Sequence, residues 1–378
     1  MSTFLKTAET YAHGAKTLPQ RYFTSPEIFA TEMERIFAQQ WICAGHQSQI
    51  PQPGDFFVQN ITGESLIFLR GRRGEIRGFY NVCRHRGTRI CENSRGQFHE
   101  SIQCPYHAWT YGLDGRLIGA PHMNQSEGFD KAQHSLHPVN LALWEGFIFV
   151  NHKPDPEPFA LAFAPLINKF SHWNLPKLKS AKRIEYEVAA NWKLIFENYS
   201  ECYHCPLVHP TLAKLTPYDQ AENDLYEGPF LGGFMPIRKN GGSLTMSGNS
   251  CALPVRENGA DDDLVYYYSI FPNMLLSMHP DYVMVHLLWP QAPDRATIFC
   301  DWYFHLEAFG RDDFNPSDAV AFWDMTNKQD WHVCELSQQG ISSRRYQPGP
   351  YSPRESIPAA FDREYLRVFE EESAKNVE

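Results

Sequence analysis

Two short pairs, Cys83-Arg84-His85 and Cys104-Pro105-Tyr106-His107, constrain this chain more than any other feature of it. Each offers one thiolate and one imidazole, and the connection between them can fold back so that the two halves meet at one centre. Zinc accepts the same four donors, and a structural zinc site is the competing reading. Zinc fingers, however, usually gather their cysteines in one knuckle and their histidines in the other. The alternation here suits a centre of two metal ions, one bound by both thiolates and one by both imidazoles.

That division of ligands belongs to a Rieske 2Fe-2S cluster, so Cys83, His85, Cys104 and His107 are the expected holders of one cluster per chain. A second set of donors follows later. From Asn191 to His204 the spacing reads as helix, Pro206 stops it, and His209-Pro210 lies on the turn. Imidazoles on either side of a helix stop can approach one ion from adjacent directions and leave its other face open, as a 2-His-1-carboxylate ferrous site requires. A histidine pair at this spacing serves core or surface roles as readily, and its company with the first set is what favours iron. The carboxylate must come from far downstream, where Asp318, Asp324 and Asp330 compete, each with the ordinary alternative of a solvated helical position.

A chain of 378 residues suggests two domains, and 43% hydrophobic with 14% aromatic content is ample for two cores. The net charge of -10, with no basic stripe, argues against nucleic acid or an anionic membrane as a partner. Residues 1–25 contain no apolar run of signal-peptide length, and the most apolar stretches, such as 141–150, are strand-length and interrupted by Glu145-Gly146. Nine cysteines without a regular framework indicate a reducing compartment, and the cytoplasm is the expected location.

Ser25-Pro26-Glu27 is a helix start, with Phe29, Met33, Ile36 and Phe37 on one face and an end near Gln40. The expected N-terminal helical segment is 1–40, packing with the catalytic domain. From Phe56 to Val150, short runs rich in Phe, Ile, Val and Tyr are broken by glycine-containing turns, the pattern of a small all-β domain with the cluster ligands on two loops. Its expected extent is 41–153. Lys153-Pro154-Asp155-Pro156-Glu157-Pro158 prevents both helix and central strand and marks a boundary. Over 159–378, strand patterns at 184–188, 282–288 and 297–304 mix with helical patterns at 192–202 and 316–336. The fold class expected is α+β, an antiparallel sheet flanked by helices.

The chain resembles the large (α) subunit of a Rieske non-haem iron oxygenase over nearly its whole length. The resemblance rests on Cys83-Arg84-His85-Arg86-Gly87, Cys104-Pro105-Tyr106-His107-Ala108-Trp109, Asn191-Trp192-Lys193, and Glu197-Asn198 with Glu201, Tyr203, His204 and His209. It implies a Rieske domain, a catalytic domain with one Fe(II) per chain, dioxygen as a substrate, and electrons from an NAD(P)H-dependent reductase or ferredoxin. In the family the iron carboxylate precedes a helical Glu and Gln shortly before a Gly, and 329–340 matches that best, which favours Asp330. The resemblance also gives Glu201 a role, that of an acidic residue hydrogen-bonding a cluster histidine across a subunit boundary, although many members carry Asp there. If 192–204 is one helix, Glu201 shares a face with His204. Pairing the cluster of one subunit with the iron of the next implies a closed ring, a homotrimer.

Within the family, the chain is more similar to the group acting on choline, glycine betaine, carnitine and stachydrine. That likeness lies in 201–206, in Phe271-Pro272-Asn273 with His279-Pro280-Asp281-Tyr282, and in Gln329-Asp330 with Cys334-Glu335. The expected reaction is hydroxylation or oxidative N-demethylation of a small quaternary ammonium compound. The alternative is an aromatic ring-hydroxylating dioxygenase or an aromatic O/N-demethylase. A different class, an electron carrier with a vestigial second site, would need only the first domain.

Overall fold

The computed structural model describes residues 4–256, 263–312 and 314–375. The chain divides into two compact units, residues 37–162 and residues 1–36 together with 163–378. The smaller unit is thus inserted, in sequence, into the larger one.

In the smaller unit the short apolar runs become three antiparallel sheets. One has the order Ile76–Tyr80, Glu64–Arg70, Asp55–Ile61, Arg95–Gln97; a second is Asn140–Trp144, Phe147–Asn151, Ile42–His46; the third is Ser101–Gln103, Thr110–Gly112, Leu117–Gly119. The Glu145-Gly146 interruption is a two-residue hairpin turn between Trp144 and Phe147, with φ of 49° and 81°, the left-handed pair that matches strand twist. Beneath the loops that follow Tyr80 and Gln103 lies a core of Phe56, Ile67, Phe79, Ile102, Trp109 and Tyr111. Cys83 and Cys104 are part of it.

The larger unit is built on an eight-stranded antiparallel sheet. Its order is Leu5–Lys6, Glu222–Leu225, Phe230–Pro236, Leu264–Ile270, Met274–Met278, Val283–Ala292, Arg295–His305, Leu178–Val188. Three helices matter most for the site: Trp192–Tyr199, the long Ser317–Ile341 and Ser356–Lys375. The first packs against both others, the second also against strand Leu178–Val188, and the third against strand Phe230–Pro236. Mixed helix and antiparallel sheet is the fold class expected from the sequence.

The N-terminal helix begins as the sequence indicates. Ser25 Oγ accepts from Ile28 N at 3.2 Å and Pro26 occupies the first turn, but after Glu32 the helix continues as a π-helix over Met33–Phe37. Glu32 is fully buried, and its carboxylate accepts from Lys193 Nζ at 2.5 Å, Trp192 Nε1 at 2.9 Å and Tyr365 OH at 2.6 Å. An acid so far from water needs such partners. They tie residues near the start of the chain to the first turn of Trp192–Tyr199 and to Ser356–Lys375. Asn191 caps the same first turn, its Oδ1 accepting from Lys193 N at 3.0 Å.

A second buried acid cluster sits on the same helices. Burial pushes the Asp362 carboxyl up to about 7 and raises Glu197 well above the ordinary carboxylate range. The two carboxyls lie against each other, and Tyr351 OH donates to Asp362 Oδ2 at 2.8 Å. A carboxylate pair in such a setting retains a proton.

Candidate metal centres

In the smaller unit two loops present the first set of donors in matching geometry. Gly87 N bonds Cys83 O at 3.0 Å and Ala108 N bonds Cys104 O at 3.2 Å; Cys83 N bonds Thr88 O and Cys104 N bonds Trp109 O, both at 2.8 Å. Each loop turns through a left-handed residue, Gly87 at φ 73° and Ala108 at φ 55°. The two thiols are buried and meet each other, and burial raises Cys104 above the ordinary thiol value. The two imidazoles lie on the outer side, with ring centroids 4.8 Å apart, His85 stacking on Trp109 at 4.8 Å. Thiols inward and imidazoles outward is the ligand segregation that an iron pair with one sulfur-bound and one nitrogen-bound member needs. Tyr111 OH lies 3.3 Å from Cys83 Sγ and accepts from Arg84 N at 3.0 Å. No local pattern in the sequence pointed to Tyr111.

The second centre lies wholly in the larger unit. Helix Trp192–Tyr199 ends earlier than its spacing suggested, because Ser200 N takes the carbonyls of Phe196 and Glu197 and Ser200 Oγ donates to Phe196 O at 2.6 Å. Glu201 and His204 therefore lie in a turn rather than on a shared helical face. They meet nonetheless. Glu201 Oε1 and His204 Nδ1 are 2.5 Å apart, while Glu201 Oε2 accepts from Tyr203 N. A disulfide joins Cys202 to Cys205 across His204, a bond that the cysteine pattern gave no reason to expect.

His209 sits between the short helices Cys205–Val208 and Pro210–Leu215 and is almost fully buried. Its Nε2 is 2.7 Å from Asp330 Oδ1, and His204 Nε2 is 3.3 Å from the same oxygen. The donor atoms of His204, His209 and Asp330 all lie within 4.8 Å of one another. Burial would raise the Asp330 carboxyl, but hydrogen bonds from His204 and His209 outweigh it and hold it below its ordinary value. Burial likewise opposes charge on His204, yet its hydrogen bonds to Asp330 and Glu201 push it up to about 10. Nδ1 of each imidazole is anchored, His204 by Glu201 and His209 by Gln329 Oε1 at 2.8 Å, which leaves both Nε2 atoms aimed at one point. In the sequence, the only signal for Gln329 is its position one residue before the carboxylate. The competing carboxylates are engaged elsewhere, Asp324 with Tyr186 OH at 2.9 Å and Lys328 Nζ at 2.7 Å, and Asp318 with Ser247 Oγ at 2.6 Å.

The three donors border a cavity of about 450 Å³. Tyr199, Tyr218, Tyr267, Phe234 and Trp323 give it aromatic walls. Gly233 also lines it and leaves no room for a side chain against the neighbouring strand, since a Cβ there would meet Glu222 O at 1.8 Å.

Two stretches of the chain match known protein families. Residues 175–371 match the family described as ring hydroxylating alpha subunit (catalytic domain), and residues 40–139 match the Rieske [2Fe-2S] domain. The chain is 31% identical over 375 residues to the glycine betaine monooxygenase oxygenase subunit of Chromohalobacter salexigens, covering 90% of this chain and 82% of that protein. It is 31% identical over 338 residues to the carnitine monooxygenase oxygenase subunit of Acinetobacter baumannii, covering 88% and 87%. The quaternary ammonium Rieske monooxygenase CntA in complex with substrate L-carnitine superposes with a TM-score of 0.79 at 25% identity, covering 96% of this chain and 97% of that one. Two thiols turned inward with two imidazoles outward, and a buried His-His-Asp cluster at a cavity wall, accompany these matches along the chain, which belongs to the Rieske-type ring-hydroxylating oxygenase α subunits, enzymes carrying a 2Fe-2S cluster and a mononuclear iron.

Proposed function

We propose that this chain is a terminal oxygenase component that hydroxylates or oxidatively N-demethylates a small, betaine-like quaternary ammonium compound. Dioxygen is its second substrate, and a separate NAD(P)H-dependent reductase or ferredoxin is its electron donor. The observation that carries the reading is the His204, His209, Asp330 cluster opening into an aromatic-walled cavity of about 450 Å³. Relatives named for glycine betaine, carnitine and choline support the substrate class. Tyrosine and tryptophan faces attract a trimethylammonium head that can neither donate nor accept a hydrogen bond.

In this reading Cys83, His85, Cys104 and His107 hold the cluster, within a domain spanning 41–153. His204, His209 and Asp330 hold the iron, within 159–378, with 1–40 belonging to the same catalytic part. When bound, the two iron centres supply single-electron relay and oxygen activation. The protein's part is orientation. Gln329 and Glu201 fix which ring nitrogen each histidine turns to the ion, and the anionic Asp330 offsets its charge. The aromatic walls hold the substrate and exclude water. Overall, two electrons, two protons and one dioxygen oxidise one substrate, one oxygen atom entering a C–H bond and the other leaving as water.

Glu201 stands at the proposed meeting point with a neighbouring chain's cluster in a homotrimer, and the enzyme works in the cytoplasm. Among the described residues no helix is long and apolar enough to cross a membrane. The test is oxygen uptake with a surrogate reductase, comparing a panel of betaines with a panel of aromatic acids. Uptake coupled to product from a betaine is expected. Coupled turnover of the aromatic acids alone would overturn the substrate assignment.

A further inference from the structure

The disulfide between Cys202 and Cys205 brackets the histidine that anchors one side of the metal cluster. None of the other seven cysteines forms a disulfide, and Cys83 and Cys104 among them are the expected cluster ligands. It has little to do as a staple. Its loop spans a sequence separation of only three, too short to constrain the unfolded chain strongly. The turn is already held by Cys205 N on Cys202 O at 3.1 Å and by Glu201 on Tyr203 N. Both cysteines border the cavity, and Cys205 Sγ lies 4.0 Å from His204 Nε2, the ring atom that faces Asp330. A Cys-x-x-Cys pair in a chain with no disulfide framework is chemically a redox couple. Its place at the cavity wall determines which oxidant reaches it.

We propose that Cys202 and Cys205 form a dithiol–disulfide couple that consumes hydrogen peroxide arising in the adjacent cavity. The inference rests on oxygen chemistry at this site. Dioxygen that takes up two electrons and two protons without giving an atom to substrate leaves as hydrogen peroxide. The sulfur of Cys202, the more exposed of the two, attacks one peroxide oxygen; the O–O bond breaks, the departing oxygen leaves as water, and the sulfur becomes a sulfenic acid. Cys205 sulfur then displaces the second water and forms the S–S bond. In sum, two thiols and one hydrogen peroxide give one disulfide and two waters, the sulfurs losing the two electrons that the peroxide gains. A small-molecule thiol restores the pair by exchange, itself becoming a disulfide. The structure holds the oxidised half of this cycle.

The test reads the sulfurs directly. Holoenzyme is reduced with dithiothreitol, desalted without oxygen, exposed to one equivalent of hydrogen peroxide per chain, then denatured with N-ethylmaleimide present and digested with trypsin. Peptide 194–214 contains both cysteines and no others. It should lose both maleimide adducts and regain them after dithiothreitol, while the peptides carrying the buried Cys43, Cys300 and Cys334 keep theirs. Retention of both adducts in 194–214, or irreversible conversion to sulfinic acid, would overturn the couple. With Cys205→Ser, dimedone should trap a sulfenic acid at Cys202; its absence would overturn the assigned order of attack. These arms use added peroxide without turnover, so they stand apart from the substrate proposal. A turnover arm tests the purpose: driven by reductase without substrate, Cys202→Ser/Cys205→Ser enzyme should inactivate severalfold faster than wild type. Equal inactivation rates would overturn the protective role.

Discussion

Removing the Glu32 carboxylate should destabilise the larger unit far more than loss of a surface charge would. The carboxylate meets three donors, and both it and Lys193 are fully buried. In Glu32→Ala an ammonium remains in the interior without its counter-ion, which costs about 3–5 kcal/mol by itself. The orphaned Trp192 N–H and Tyr365 O–H add roughly 1–3 kcal/mol each, partly relieved by relaxation. A net loss of at least about 4 kcal/mol compares with total stabilities of about 5–15 kcal/mol. Glu32→Gln keeps the shape but leaves the ammonium uncompensated and should fall between. Glu32→Gln with Lys193→Met removes both charges and should recover at least about 2 kcal/mol relative to the sum of the single losses, because replacing a buried pair is far cheaper than halving it. Urea unfolding followed by tryptophan fluorescence gives these values, and the visible absorption of the cluster reports the smaller unit in parallel. That second signal should persist at urea concentrations where Glu32→Ala has lost the first. Losses under about 1 kcal/mol for both single variants, the range of exposed pairs, would refute the reasoning.

Three further outcomes are expected. His204→Ala, His209→Ala and Asp330→Ala should each lose the mononuclear iron and abolish turnover while keeping the cluster spectrum, whereas Asp324→Ala should retain iron; metal analysis beside visible spectra decides, and iron loss in Asp324→Ala with retention in Asp330→Ala would reverse the carboxylate assignment. Glu201→Gln should keep both metals and the oligomer but slow single-turnover oxidation of the pre-reduced cluster by a large factor, and a wild-type rate would remove its bridging role. For Asp362 the folded value of about 7 stands above the ordinary 3.8, so the protonated form stabilises the fold fully below about pH 4 and that contribution is lost as pH rises through about 7; Asp362→Asn should flatten this part of the unfolding-midpoint profile, and an unchanged slope between those values would count against a shared proton.

Much of the metal chemistry could be read from the chain because its donors cluster in short motifs. Cys83, His85, Cys104 and His107 sit on two loops, and their alternation already argued for two ions. Helix pattern alone misjudged the stretch after Tyr199, because Ser200 and Glu201 satisfy local backbone groups with their side chains, a competition that periodicity does not register. Helical spacing alone did not separate Asp318, Asp324 and Asp330; the family resemblance favoured Asp330, whereas the physical reason, which face of the long helix meets His209, lies 121 residues away along the chain. The same holds for Glu32, whose partners are separated from it by 160, 161 and 333 residues. A lone acid in an amphipathic helix looks solvated until its distant partners are placed around it.

The insertion of residues 37–162 within the larger unit has a consequence for biosynthesis. The smaller unit is one continuous stretch, complete soon after Ala162 clears the ribosome, so it can close its sheets and take up its cluster while the rest is still being translated. The larger unit has no such independence. Its edge strand Leu5–Lys6 waits for Glu222–Leu225, and Glu32 waits first for Lys193 and finally for Tyr365. Such distant pairings fold slowly and late. A nascent chain would thus be loaded with its electron relay before the chamber that uses the electrons has formed.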